Sequence, residues 1–325
     1  MSKQAFDKKL EAIQALRSEP ASEAAIEQLR KALRDRSNYL VSKAAAIAAD
    51  RSFSGLIPDL LAAFDRFLID AVKSDPKCWA KNAIVKALKD LGHRDPQVYL
   101  KGIAHVQPEP SWGEPVDSAV TLRGACALAL VDCRLDDIEI LRYLVDGLAD
   151  KELPVRTDTV IAIGQLGRIE GALLLRLKCL LGDKEPEVIG RCFSTLLDLT
   201  RREAVPFVEK FLGAGEQDIA IEAAAALAQS REPEAIDLLK TFWQTLLSSE
   251  LRSALIAALG ASPLSEAAGL LLAILSEGTG EIAAAALEAL ATSRFRVEMR
   301  DRIAAALAAK GNNKLSRLFK EKFPA

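Results

Sequence analysis

The chain has 325 residues, half of them apolar but only 5% aromatic, with 43 basic against 45 acidic side chains and a formal charge of -2. Ala and Leu dominate it, and both favour helix over strand, so most β architectures are excluded. So few Phe, Tyr and Trp argue against one large globular core, and the near-neutral charge lacks the basic footprint of a duplex-binding protein.

The charge is uneven along the chain, with 18 basic and 14 acidic groups over residues 1–110, 15 and 23 over 111–248, and 10 and 8 over 249–325. Five cysteines (Cys78, Cys126, Cys133, Cys179, Cys192) form no C-x-x-C pair, and the two histidines, His93 and His105, complete no metal-ligand spacing. No metal or other cofactor is expected. The start, MSKQAFDKKLEAIQAL, has no apolar targeting segment, and no apolar run approaches the ~20 residues of a membrane span. A reducing, cytoplasmic setting and no membrane follow as expectations.

Residues 1–35 read as N-terminal capping helices. From there one side-chain pattern recurs, registered on Leu40, Trp79, Leu122, Val155, Val188, Ile219, Leu251 and Ile282, at spacings of 39, 43, 33, 33, 31, 32 and 31. Five residues after each stands an apolar side chain (Ala45, Ile84, Ala127, Val160, Phe193, Ala224, Ile256, Leu287), and eight after stands another (Ala48, Ala87, Leu130, Ile163, Leu196, Leu227, Leu259, Leu290). These offsets lie on one helical face. Four after, the residue is mostly small, as at Ala44, Cys126, Cys192 and Ala223. A second amphipathic stretch separates successive register helices, so each unit is a helical hairpin.

The first spacings are long for two reasons. Residues 57–72, IPDLLAAFDRFLIDAV, predict one extended helix with Phe64 and Phe67 in the core. Residues 105–116, HVQPEPSWGEPV, carry three prolines and cannot be helical. There Trp112 either plugs an apolar hole or stands at the rim of a binding surface, and His105 either ends a helix or makes contact beside it. Residues 294–325 read as a C-terminal cap.

A hairpin of about 32 residues cannot bury its apolar face alone, so neighbours must stack. The unit DKELPVRTDTVIAIGQLGRIEGALLLRLKCLLGD (150–183) resembles the short HEAT repeats, and the resemblance extends over roughly residues 20–310. It implies an all-α fold, an α-α superhelix (solenoid) of about eight hairpins, running as one solenoid from 1 to 325 with repeats over 36–293. The chain also resembles bacterial HEAT-repeat proteins to which no activity is assigned, which implies a binding scaffold and no catalytic residue.

In such solenoids the second helix of each hairpin lines the concave face. Positions shortly after the register residue then give a stripe of Lys43, Lys81, Asn82, Lys89, Arg123, Arg156 and Arg191, with Asp158 interrupting it. Regularly spaced cations suit an acidic peptide or protein segment, or a nucleic-acid backbone. The opposing expectation is that these cations pair with acids of adjacent helices, as Arg156 with Asp158 or Asp183. Ser111-Trp112 followed by Val116-Asp117-Ser118 faintly resembles the S-W-W-D-S-V-D-S stretch of the alkylpurine DNA glycosylases, HEAT-like proteins that hold DNA. That resemblance would make Asp117 catalytic, although Gly113 replaces the second Trp. Phycobilin lyase subunits are a further HEAT-like class. With no nucleophile elbow and no phosphate-binding glycine loop, the sequence favours a non-enzymatic scaffold for a protein or acidic peptide over a nucleic-acid binder.

Overall fold

Helix follows helix in the computed structural model, which describes residues 3–20, 22–213 and 215–324. The chain divides into two compact units, residues 1–166 and 167–325.

The first unit contains α1 (Lys3–Ala15), α2 (Glu23–Leu33), α3 (Asn38–Asp50), α4 (Ile57–Leu68), the short α5 (Ala71–Ser74), α6 (Trp79–Asp90), α7 (Gln97–Ile103), α8 (Val120–Leu130), α9 (Asp137–Leu148) and α10 (Leu153–Leu166). The second contains α11 (Ile169–Leu181), α12 (Pro186–Thr200), α13 (Val205–Glu209), α14 (Gln217–Gln229), α15 (Pro233–Thr245), α16 (Ser249–Gly260), α17 (Ser265–Glu277), α18 (Gly280–Thr292), α19 (Arg296–Lys310) and α20 (Asn313–Lys322).

Local chemistry starts these helices. Ser22, Ser37, Asp136, Ser248 and Asn312 each accept a hydrogen bond from a first-turn amide, satisfying donors that the helix itself leaves open. Pro186 and Pro233 stand at first helical positions, where the missing N–H costs nothing. Gly311, left-handed at φ 64°, closes α19.

The eight register helices are α3, α6, α8, α10, α12, α14, α16 and α18. Within the first unit α3 packs on α6, α6 on α8 and α8 on α10; within the second, α12 packs on α14, α14 on α16 and α16 on α18. Every side chain five and eight residues after a register residue is buried, which is the layer-to-layer core that the pattern predicts. Glycines allow close approach both between α9 and α10, where Gly147 meets Thr159, and at the layer contact of α16 with α18, where Gly260 meets Ala289. The fold is an all-α superhelix.

Two expectations need correction, and one is sharpened. The helix over 57–72 ends at Leu68, because Ile69 turns extended and Asp70 is left-handed at φ 49°; Phe64 and Phe67 are nevertheless buried. The 105–116 segment is non-helical as expected, and there β1 (Pro108–Glu109) and β2 (Val116–Asp117) pair antiparallel as a small hairpin. Trp79 is not a core residue. Lys77 and Cys78 adopt left-handed backbone (φ 62° and 51°), which turns the Cys78 side chain inward and leaves Trp79 47% exposed at the first position of α6.

Candidate functional site: an aromatic and lysine-lined groove

The predicted cationic stripe separates into two groups with opposite fates. Lys81 is completely buried: its ammonium lies 3.0 Å from Asp75 Oδ2 and donates to the Phe67 carbonyl. Arg123, 4% exposed, donates to Asp117 at 2.6 Å and forms a fork on Asp150 through Nε at 2.8 Å and Nη2 at 3.1 Å. Arg156, 3% exposed, donates to the Asp150 and Lys151 carbonyls. The expectation that these three face an open groove is therefore wrong. Burying a cation is costly unless it finds partners, and each of the three takes at least one from the turn preceding its own helix.

The spacing behind this is regular. Asp75 and Lys81, Asp117 and Arg123, and Asp150 and Arg156 are each six residues apart. Asp150 also holds the arginine of the preceding layer, so the ion pairs stitch α8 to α10. Asp75 does more still, accepting from the Ala80 and Lys81 amides and from Asn38 Nδ2. Neither Asp75 nor Asp150 was singled out from the sequence, although the six-residue acid-to-cation spacing marks both.

The 105–116 segment is fastened to this framework. Gln107, 1% exposed, donates from Nε2 to the Asp75 carbonyl and Glu109, while its Oε1 accepts from Cys78 Sγ at 3.2 Å and lies 3.1 Å from His105 Nε2. Burial lowers the His105 pKa, which the Gln107 contact only partly offsets. Asp117 accepts from the Gln107 and Ala119 amides as well as from Arg123. Burial pushes its pKa up, but those three donors outweigh it and hold the carboxyl below its ordinary range. Asp117 thus anchors the hairpin, with both oxygens engaged. Trp112 fills no hole; it is fully exposed at the hairpin tip.

Lys43, Asn82 and Lys89 do come together. They line a groove of about 590 Å³ on α3, α6 and α8, joined there by Lys86 and by an apolar floor that includes Ala46, Ala83, Ala125 and Leu128. One wall is aromatic: Tyr39 and Trp79 meet edge to face with centroids 5.7 Å apart. Lys43 Nζ lies 4.9 Å from the Tyr39 centroid, and Lys77 Nζ 5.7 Å from that of Trp79. Lys89 donates to the Leu128 carbonyl at 3.1 Å from an exposed position. Among the described residues no carboxylate lines the groove, and none of its three lysines makes an ion pair with one. The Asn82 side-chain oxygen is buried and accepts no hydrogen bond. Trp79, Tyr39 and Lys86 were not singled out from the sequence as groove residues; the W-x-x-N spacing of Trp79 and Asn82 in one helix turn was the available signal. Arg191 lies in the second unit, exposed on α12, where it partly offsets the raised pKa that burial and Glu187 give Glu222.

Among the described residues no group of His, Cys, Asp and Glu could hold a metal ion, and no helix is long and apolar enough to cross a membrane.

Residues 173–260 match the family model described as HEAT repeats. A search of curated proteins returns no match. Among structures, a chain of a homology model of the full-length AP-3 complex in an intermediate open conformation aligns over 93% of this chain and 57% of its own, at 14% identity and a TM-score of 0.56. The chain thus spans little more than half the length of that AP-3 chain. Kap121p bound to Pho4p aligns over 98% of this chain and 45% of its own (15% identity, TM-score 0.48), and the CpcE–CpcF complex of phycocyanin lyase from Nostoc sp. PCC7120 over 90% and 97% (15% identity, TM-score 0.35). At these identities the likeness is one of fold. The recurrent register and the stacked hairpins give this chain an all-α solenoid fold, in which residues 173–260 match HEAT repeats.

Proposed function

We propose that the protein is a non-enzymatic scaffold that binds an extended, acidic segment of a protein partner in the groove of α3, α6 and α8. The observation that carries this reading is the groove's composition: three lysines and no carboxylate beside an exposed Trp79–Tyr39 wall and a buried, unsatisfied Asn82 oxygen. An extended peptide answers each feature. Its carboxylates meet the lysines, its backbone N–H satisfies Asn82, and an apolar side chain covers the indole, as aromatic anchors do at interface hot spots. The five free thiols suit a reducing cytoplasm.

Single-stranded nucleic acid is the second reading, favoured by the same pairing of an indole face with lysines. Two titrations followed by tryptophan emission separate them, one with a glutamate-rich peptide carrying a leucine and one with an oligonucleotide. The proposal expects the peptide to perturb the emission and Trp79→Ala to abolish that change. A response to the oligonucleotide alone replaces the first reading by the second, and no response to either sinks both.

A further inference from the structure

A second surface stands out away from the groove. Helix α11 carries Ile169, Leu173, Leu177, Leu180 and Leu181 on one side, at exposures of 64, 69, 54, 69 and 76%. Its other side, Gly171, Ala172, Leu175 and Cys179, packs against α12. The helix therefore keeps its smaller residues for the core and turns its larger ones to solvent, the reverse of what burial in a monomer favours. Its charges do not interrupt the stripe: Arg176 lies 4.1 Å over the Phe207 ring and Lys178 is paired with Asp183 at 2.7 Å, leaving only Glu170 near its start.

We propose that this stripe is the interface of a homodimer, in which α11 packs antiparallel on α11 of a second copy across a two-fold axis. Two observations select a second copy over another occupant. The first is symmetry. Four of its five residues pair about residue 175, so a two-fold axis at that level sets Ile169 opposite Leu181 and Leu173 opposite Leu177, with Leu180 meeting the exposed Glu170 at the edge; this is the self-complementarity that an isologous contact requires. Antiparallel pairing also opposes the two helix dipoles favourably.

The second is area. Five such side chains leave on the order of 600 Å² of apolar surface open, the upper end of what a monomer normally exposes. Matched against itself, the stripe buries on the order of 1,200 Å², where stable specific interfaces begin. With no cation presented along it, the stripe offers an acidic peptide nothing to pair with, so this surface and the lysine groove serve different partners.

Sedimentation equilibrium of the full chain between about 1 and 100 µM tests the proposal, a range that spans ordinary dimer affinities. The expected result is a mass twice the 35.1 kDa of the chain. The double variant Leu173→Glu, Leu177→Glu should be monomeric over the same range, its dissociation constant raised at least about a hundredfold by carboxylates facing one another in an apolar contact. Both positions are exposed, so the variant's circular-dichroism melt should match that of the parent. A parent chain that stays monomeric to the top of the range overturns the proposal. So does an open-ended association instead of a dimer, or a variant that dimerises as well as the parent.

Discussion

Arg123 shows how a single residue's role inverts between sequence and structure. Read from its position after Leu122 it belongs to a binding face, yet its guanidinium is closed in by Asp117 and Asp150. Arg123→Glu should therefore destabilise the first unit by about 3 kcal/mol, because two partly buried carboxylates lose their buried counter-charge and gain a third carboxylate beside them. Chemical denaturation checks this; an unchanged midpoint would refute the burial. Asp158 and Glu222 point the other way. Burial raises both pKa values, with Glu187 adding to the effect at Glu222. A carboxyl whose folded pKa lies above its unfolded one stabilises most below the unfolded value and loses that contribution as pH rises through the folded one. Asp158→Asn and Glu222→Gln should accordingly raise the melting temperature at pH 7 and change little at pH 3. An equal shift at both pH values would mean the carboxyls are not desolvated.

At the scale of the helix, close approach decides which substitutions are tolerated. Gly147 of α9 faces Thr159 of α10, whose side chain is buried and donates to the Val155 carbonyl. Alanine is the better helix former by about 1 kcal/mol. Gly147→Ala should nonetheless cost about 1–3 kcal/mol, because its methyl would meet a β-branched side chain with no room to turn. A gain in stability on thermal melting would contradict the packing. Much of this level was legible in the sequence: offsets of five and eight residues marked the buried face in all eight register helices. What could not be read was the fate of the cations on the register helices. There Lys43 and Lys89 reach solvent while Lys81, Arg123 and Arg156 do not, and the difference lies in acids six residues upstream. Trp79 was misplaced for a backbone reason, the left-handed pair at Lys77 and Cys78, which no side-chain periodicity reports.

At the scale of the whole molecule, the scarcity of aromatic residues follows from thin layers that each pack only on their neighbours. Such stacks lose stability locally. Arg123→Glu should then speed hydrogen exchange in α8 and α10 while leaving α16 and α18 unchanged; uniform acceleration would show that the chain unfolds as one block. The near-zero net charge also resolves into local signs, since Lys81 and Arg123 are consumed by ion pairs within and between layers and a separate lysine cluster remains open on α3, α6 and α8.

The assignment of that cluster as the binding site is the central claim, and calorimetric titration of an acidic peptide into the parent chain and into Lys43→Glu, Lys86→Glu, Lys89→Glu tests it most directly. Lys86 and Lys89 are exposed and Lys43 is half-buried, and none makes an ion pair among the described residues, so the triple variant should melt close to the parent. Its affinity should fall by at least about tenfold, 1.4 kcal/mol, with the parent's binding weakening as salt rises. Equal affinity in the two proteins, or binding indifferent to salt, would contradict the account.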